Sequence, residues 1–464
     1  MRRALQAAAG ALAVSRLAAA LQVTVGDVNS IKSAAKTIAT EMVGYYHGAD
    51  PGLIPGELGD PYYWWETGGM FNVLLDYWYY TGDTQFNAIT QQGLLFQTGP
   101  DDNYMPPNQT KDEGNDDQFF WGCAAMTAAE LNFQNPPSGQ TGWLGLAQGV
   151  FNSQAARWDA ADCGGGLRWQ IFTWNNGYDY KNTASNGGLF NLAARLGAYT
   201  GNNTYFQWAD KAWNWMHDIG LIGPNYDIYD GTSISDNCTT LDHTLWTYTA
   251  GMMLYGAAVM WNQTTADASA SSVSADVWKT RTQNIWNSTT RNYFTGTNNM
   301  IMQEVCEPPV KCDTDQQSFK AYLSRFMAVS TQYAPWLYSQ VRPYIEANAV
   351  AAGQQCSGGN SGSSCGLQWT KGATYDGNTG VGEQMAALEI IGALMINYVP
   401  SPVTAKTGGT SQGDPDAGTG GDKNPAAPTH PITTADRIAA AVLTFLTVAG
   451  TVGGSCFLVS GIGS

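Results

Sequence analysis

Apolar side chains recur at helical spacing in a dozen segments, near 26–46, 65–81, 84–97, 116–133, 142–158, 182–200, 203–219, 241–262, 269–287, 314–331, 334–351 and 380–397. Each such segment carries a face that must be buried, and the faces have only one another to bury against. Gly-, Asn- and Pro-rich breaks between them turn the chain back on itself. Twelve helices make six hairpins, and six α-hairpins around one axis make an (α/α)6 barrel whose inner helices converge on a cleft at one end. The fold class expected is therefore all-α, with an unrelated helical assembly as the alternative.

Two junctions share a signature. Tyr80-Thr81-Gly82-Asp83 is followed by Phe86, and Tyr199-Thr200-Gly201-Asn202 by Tyr205 and Phe206. Gly ends a helix in the left-handed region, and Asp or Asn starts the next, so one supersecondary unit is used more than once. The longest stretch without helical period, 159–181, contains Cys163-Gly164-Gly165-Gly166-Leu167-Arg168-Trp169-Gln170. A long loop inside a helical domain is usually functional, and the Trp, Asn and Tyr in this one suit the wall of a sugar cleft. Its three glycines are not a phosphate loop, because no G-K-[ST] follows.

Charge narrows the ligand. A formal net charge of −16 repels phosphate backbones and anionic lipid heads, which argues against nucleic-acid partners and favours a neutral ligand. The chain's 17 Trp and 23 Tyr offer rings on which sugars stack, although many must simply fill the core. Charged residues make up only 13% of the chain, so its surface depends on Asn, Gln, Ser, Thr and Gly, as in an exported protein.

The two ends agree with export. Arg2 and Arg3 precede an apolar run from Ala4 to Leu21 that ends in small residues, the pattern of a signal peptide over 1–21. N-x-S/T sequons at Asn108, Asn202, Asn237, Asn262 and Asn287 are expected glycosylation sites. Residues 401–434 are rich in Gly, Pro, Ser, Thr and Asp and read as a flexible linker, followed by an apolar tail over 435–464. A polar spacer and an apolar tail without a basic flank form a GPI-attachment signal, with cleavage between Gly418 and Ala427. A retained transmembrane helix is the competing reading. The catalytic domain expected is thus 22–400, on a protein held at the plasma membrane or cell wall.

Eight cysteines in an exported chain suggest disulfides. Cys306 with Cys312 and Cys356 with Cys365 are close enough in sequence to staple short loops, and Cys163 can reach Cys238. Cys456 leaves with the tail, which makes Cys123 a free thiol in an apolar setting. No C-x-x-C or H-E-x-x-H motif occurs, the four His residues lack ligand spacing, and neither a metal nor a cofactor is expected.

The strongest candidate for chemistry is Gly114-Asn115-Asp116-Asp117-Gln118-Phe119-Phe120-Trp121, at the start of a helix. Neighbouring carboxylates in an aromatic setting repel and lose hydration, so one keeps its proton to higher pH. Glycoside cleavage needs that division: one acid donates to the leaving oxygen while one carboxylate attacks the anomeric carbon or activates water. Asn and Asp also gather at helix N-termini merely to cap free N–H groups. Adjacent positions on a helix diverge by about 100°, so the sequence leaves open whether both acids face one sugar.

Together with Gly166–Gln170, Tyr229-Asp230-Gly231 and Gly382-Glu383-Gln384-Met385-Ala386-Ala387-Leu388-Glu389, this stretch resembles glycoside hydrolase family 76 over about 25–400, in particular its fungal branch of mannan endo-1,6-α-mannosidases. The resemblance implies an (α/α)6 barrel and a retaining enzyme acting on α-1,6-linked mannose. It implies Asp116 as nucleophile and Asp117 as general acid/base, with Asp230 on a sugar hydroxyl. Trp64, Trp65, Trp169, Tyr180 and Asp376 are further expected substrate-binding residues. Bacterial members carry Tyr-Asn-x-Gly where this chain has Tyr248-Thr249-Ala250-Gly251, so that subsite should differ. The donor implied is α-mannan or a GPI glycan. A transglycosidase would add a β-glucan acceptor, linking GPI-anchored glycoproteins to the wall. Nothing suggests an obligate partner subunit, so a monomer is expected. A barrel that binds mannan without cleaving it, as a wall scaffold, is the alternative. A polysaccharide lyase is disfavoured, because few Lys or Arg are present to receive a uronic-acid polymer.

Overall fold

The computed structural model describes residues 20–111, 113–307 and 312–420, with the isolated positions 442, 444, 446, 448 and 451. The expected signal peptide (apart from Ala20 and Leu21), residues 421–434 and nearly all of the apolar tail lie outside these. The chain divides into a unit ending at Asp422, which holds the barrel, and a second unit, Lys423–Ser464. No helix among the described residues is long and apolar enough to cross a membrane.

Twelve α-helices are described: α1 (Val28–Val43), α2 (Trp64–Thr81), α3 (Asn87–Phe96), α4 (Asn115–Glu130), α5 (Trp143–Ala156), α6 (Thr183–Thr200), α7 (Asn203–Asp218), α8 (Thr247–Ala266), α9 (Ala275–Tyr293), α10 (Phe319–Tyr333), α11 (Tyr338–Gln355) and α12 (Val381–Gly392). Each even-numbered helix packs on the next, and α12 closes onto α2, so the even helices form the inner ring and the odd ones the outer. This is the expected (α/α)6 barrel.

Side-chain pattern sorts the two rings. Every residue of α12 is buried, as is every residue of α4 except Asp117, because an inner helix has protein on all sides. In α1 and α7 only one stripe is buried. Close approach needs small residues: a Cβ on Gly256 of α8 would lie 2.4 Å from the Phe190 ring of α6. The repeated junction is also as read, with Gly82 (φ 75°) and Gly201 (φ 72°) in the left-handed region. Asn202 caps α7 by accepting from the Thr204 N–H.

Two expectations are corrected. The helix predicted over 241–262 begins at Thr247, because 241–245 is a strand. Strands β1 (Tyr180–Asn182), β2 (Tyr229–Ser233) and β3 (Leu241–Leu245) form an antiparallel sheet in the order β1-β2-β3. The loop 159–181 therefore ends by pairing with β2, and Cys163–Cys238 ties its other end to the β2–β3 connection.

The second correction concerns the linker. Residues 401–420 are a strap on the barrel wall. Val403 N–H donates to the Glu130 carbonyl, Ala405 N–H to Tyr199, and Gly418 N–H to Asp101. Between these points Asp414 N–H donates to Gln148 Oε1, and Asn152 Nδ2 donates to the carbonyls of Pro415 and Ala417. Composition missed this because the bonds use the strap's backbone, which Gly and Pro content does not report.

The three expected disulfides form, and Cys123 is a buried free thiol. Its surroundings are not wholly apolar: Arg195 Nη1 donates to its sulfur at 3.1 Å.

Candidate active site

The inner helices present their N-termini to one end of the barrel, and the expected site residues collect there. Trp64 and Trp65 open α2, Asp116 and Asp117 lie in the first turn of α4, and Asn182 caps α6. Tyr248 opens α8, and Asp315 immediately precedes the 3-10 turn Gln316–Ser318 that leads into α10. Helix N-termini carry partial positive charge, which suits a cluster of carboxylates in a strongly acidic chain.

Two cavities lie side by side at this end. The smaller, about 210 Å³, is lined by Asp116, Asp117, Asn182, Tyr180, Asp230, Trp246, Tyr248 and neighbours. The larger, about 750 Å³, has an aromatic and amide wall including Tyr62, Tyr63, Trp64, Trp174, Asn175 and Asn176. Trp65, Asp117, Trp169 and Asp315 line both. Asp116 and Asp117 thus face one cavity, which the helix geometry alone left open.

The first turn of α4 is held by the loop 159–181. Asn115 N–H donates to the Trp169 carbonyl at 2.8 Å, and Asn115 Nδ2 to the Arg168 carbonyl at 2.9 Å. Arg157 Nε donates to Asn115 Oδ1 at 2.9 Å. Gly114 is required by space, since a Cβ there would meet Asp116 Oδ1 at 2.5 Å and the Trp169 carbonyl oxygen at 3.0 Å. This stitching sets Trp169, 37% exposed, beside Asp117.

The two acids differ in surroundings. Asp116 is 7% exposed and accepts from Asn182 Nδ2 at 2.9 Å and from the Asp117 N–H at 3.1 Å. Burial pushes its carboxyl up to about 7 against the pull of those donors, with the charge of Asp230 adding to the rise. Asp117 is half-buried, and its Oδ2 accepts from the Gly114 N–H at 2.6 Å. It therefore caps the helix and lines the cleft at once, so the capping role of such residues and a chemical one are not exclusive.

Asp230, on β2, accepts from the Tyr180 hydroxyl at 2.7 Å, and burial raises its carboxyl above the ordinary range. Trp64 lines the larger cavity, stacks on Trp121 with ring centres 5.0 Å apart, and donates through Nε1 to Gln97 Oε1 at 2.9 Å. Asp376 does not join the group. Its oxygens accept from the N–H groups of Gln368 (2.7 Å) and Asn378 (2.9 Å), so it braces a loop before α12. Sequence reasoning missed Asn182, Asp315, Trp246 and Trp174 as individual residues. Asn182 carried the available signal, an Asn just ahead of a helical segment; nothing in the sequence distinguished Asp315 from neighbouring Asp313.

Of the sequons, Asn108, Asn202, Asn237 and Asn287 are exposed, whereas Asn262 is half-buried and donates to the Tyr333 carbonyl at 3.0 Å. Among the described residues no three His, Cys, Asp or Glu side chains gather so as to hold a metal ion.

A double ring of helices that opens paired acids onto an aromatic-walled cleft is the architecture of an (α/α)6 glycosidase, with acids of the kind glycoside hydrolysis requires. Residues 30–406 match glycosyl hydrolase family 76, and the chain belongs to that family. It is 44% identical to the mannan endo-1,6-alpha-mannosidase DCW1 of Saccharomyces cerevisiae, over 94% of each chain. It is 42% identical to the mannan endo-1,6-alpha-mannosidase DFG5 of Candida albicans, over 95% of each. Dfg5 of Chaetomium thermophilum, solved in complex with glucosamine, superposes with a TM-score of 0.80 at 39% identity, covering 87% of this chain and 98% of that one. The α-1,6-mannanase GH76A of Salegentibacter, solved as an inactive variant with α-1,6-mannotriose, shares the fold at a TM-score of 0.61 and 17% identity, covering 79% and 99%.

Proposed function

We propose that this glycoside hydrolase is a retaining endo-1,6-α-mannosidase of the fungal cell surface that passes its mannosyl-enzyme intermediate to a glycan acceptor as well as to water. The observation that carries the reading is the opening of Asp116 and Asp117 onto one cavity that shares a wall with an aromatic-lined groove. The names of relatives more than 40% identical supply the linkage.

Asp116 is the nucleophile. Its carboxylate bonds to C1 as the C1–O bond breaks, and the electron pair leaves with the oxygen, which takes the proton of Asp117. Asp117 then removes a proton from water or from an acceptor hydroxyl as that oxygen displaces Asp116 from C1. Asp116 must be ionised to attack, and Asn182 and the Asp117 N–H, both donors, favour that form. With its carboxyl at about 7, kcat/KM should climb with pH towards that value as Asp116 ionises, and fall again where Asp117 loses the proton it must donate. Asp230, held by Tyr180, accepts from a sugar hydroxyl in the same cavity.

The donor is α-mannan or a GPI glycan, and the acceptor β-glucan. The sequence patterns of a signal peptide, a GPI-attachment tail and exposed sequons support this reading, in which the enzyme acts as a monomer where wall polymers are joined. Purified ectodomain, residues 22–420, incubated with reducing-end-labelled α-1,6-mannooligosaccharide with and without a β-glucan oligosaccharide, tests this. Shortened products indicate hydrolysis and elongated ones transfer, and both should vanish in Asp116→Asn and Asp117→Asn. Equal binding without any product, with mannan and GPI glycan alike, would put a mannan-binding scaffold in its place.

A further inference from the structure

Four residues line both cavities, and three of them already have a part in the reading: Asp117 as the acid/base, Trp65 and Trp169 as expected substrate-binding residues. The fourth, Asp315, precedes α10, whereas Asp117 belongs to α4. Oδ1 of Asp315 accepts from the Gln316 N–H at 2.9 Å. Burial and the charge of Asp313 both raise its carboxyl, and among the described residues no Lys or Arg forms an ion pair with it. A carboxylate with no Lys or Arg partner among the described residues, on the wall shared by the two cavities, is suited to receive donors from the ligand, and a carbohydrate offers hydroxyls.

The position of Asp116 fixes which sugar this is. Asp116 lines the smaller cavity and not the larger, so the sugar whose C1 it attacks sits in the smaller one. The bond to be cleaved then lies by the shared wall, and the leaving sugar enters the larger cavity. From these positions we infer that Asp315 is a substrate-binding residue that holds hydroxyls of the sugar immediately on the leaving-group side, the subsite an acceptor sugar refills before transfer. The inference rests on the proposed role of Asp116.

The test compares two donors that differ only beyond the scissile bond: α-1,6-mannotriosyl fluoride, whose leaving group is fluoride, and α-1,6-mannohexaose. In Asp315→Asn, and more so in Asp315→Ala, kcat/KM for the hexaose should fall at least tenfold further than for the fluoride, and the ratio of transfer to hydrolysis from the fluoride should fall. A thermal melt of each variant separates this from misfolding, since loss of the bond to Gln316 alone would lower both donors by the same factor. Equal losses, or none, overturn the inference while leaving the roles of Asp116 and Asp117 standing. Wild-type protein that consumes neither donor overturns those roles and the inference together.

Discussion

In the far half of the inner ring Arg195 grips Glu130 through Nη2 at 2.7 Å and Nε at 3.1 Å, and Arg325 pairs with Asp76. Thr127 joins the two guanidiniums, which donate to its hydroxyl at 3.0 and 2.8 Å. At the cleft, the hydrogen bonds to Asp116 come from an amide side chain and a backbone N–H, and Asp230 accepts from a phenol. Asp76, Glu130 and Asp116 are buried in the same ring of helices, and Asp230 is half-buried on β2. Where a carboxylate meets a guanidinium, charge is neutralised and the group holds helices together. Where it meets neutral donors its charge stays available, at a cost to folding that only a ligand or a reaction accounts for.

Asp116→Asn would break the comparison most directly. It should lower kcat by about a thousandfold or more, yet leave the melting temperature equal or higher, because it removes an acid that folding penalises. A large drop in melting temperature would mean that Asp116 is structural after all. At the other end Glu130→Gln should do the reverse, leaving Arg195 without its carboxylate and costing about 3–5 kcal/mol in denaturant unfolding. The double change Glu130→Met with Arg195→Met should recover most of that loss, which would show that the pair specifies packing more than it stabilises it.

Stability against pH sharpens the contrast. Burial raises Asp116, Glu304 and Glu383 to about 7 and Glu66 to about 8. Folding therefore retains protons that the unfolded chain releases above about 4, so this contribution is full below about pH 4 and is lost as pH climbs to about 8. Asp159 runs the other way: despite burial, Lys181 and Arg168 hold it below the ordinary range, so its contribution is lost only in strong acid. The melting temperature should peak near pH 4–5 and decline towards 8, and Glu383→Gln should flatten the decline. The smallest effect expected is that of Tyr180→Phe. Losing the hydrogen bond to Asp230 should lower kcat/KM by about tenfold, the loss of roughly one such bond to a charged group, with little change in unfolding.

Much of this was legible because it is periodic. Twelve helical segments, a glycine-ended junction used twice and a carboxylate pair at a helix start are local patterns, and each survives in the structure. What was not legible depends on residues far apart in the chain. Whether Asp116 and Asp117 face one cavity depends on Asn182 and on the loop around Trp169. Asp376 has the composition of a cleft residue but is taken up by two backbone N–H groups of its own loop. The start of α8 shifted from 241 to 247 because strand β2 (Tyr229–Ser233), a short connection upstream, offers a partner that helical propensity does not register. Cys123, flanked by apolar neighbours in the sequence, turns out to sit beside a guanidinium from α6.

The strap over 401–420 also alters the reach of whatever the chain is joined to beyond it. Twenty flexible residues would add about 25 Å of root-mean-square slack to a tether. Here they run past the ends of α4 and α6 and then along α5 as far as Gly418, so anything attached beyond residue 420 would act from near Asp101 instead of from the end of α12. Were the chain anchored there, the shorter reach would confine the barrel to a smaller volume about the anchor, raising the effective concentration of glycans within that volume and putting those further away out of range.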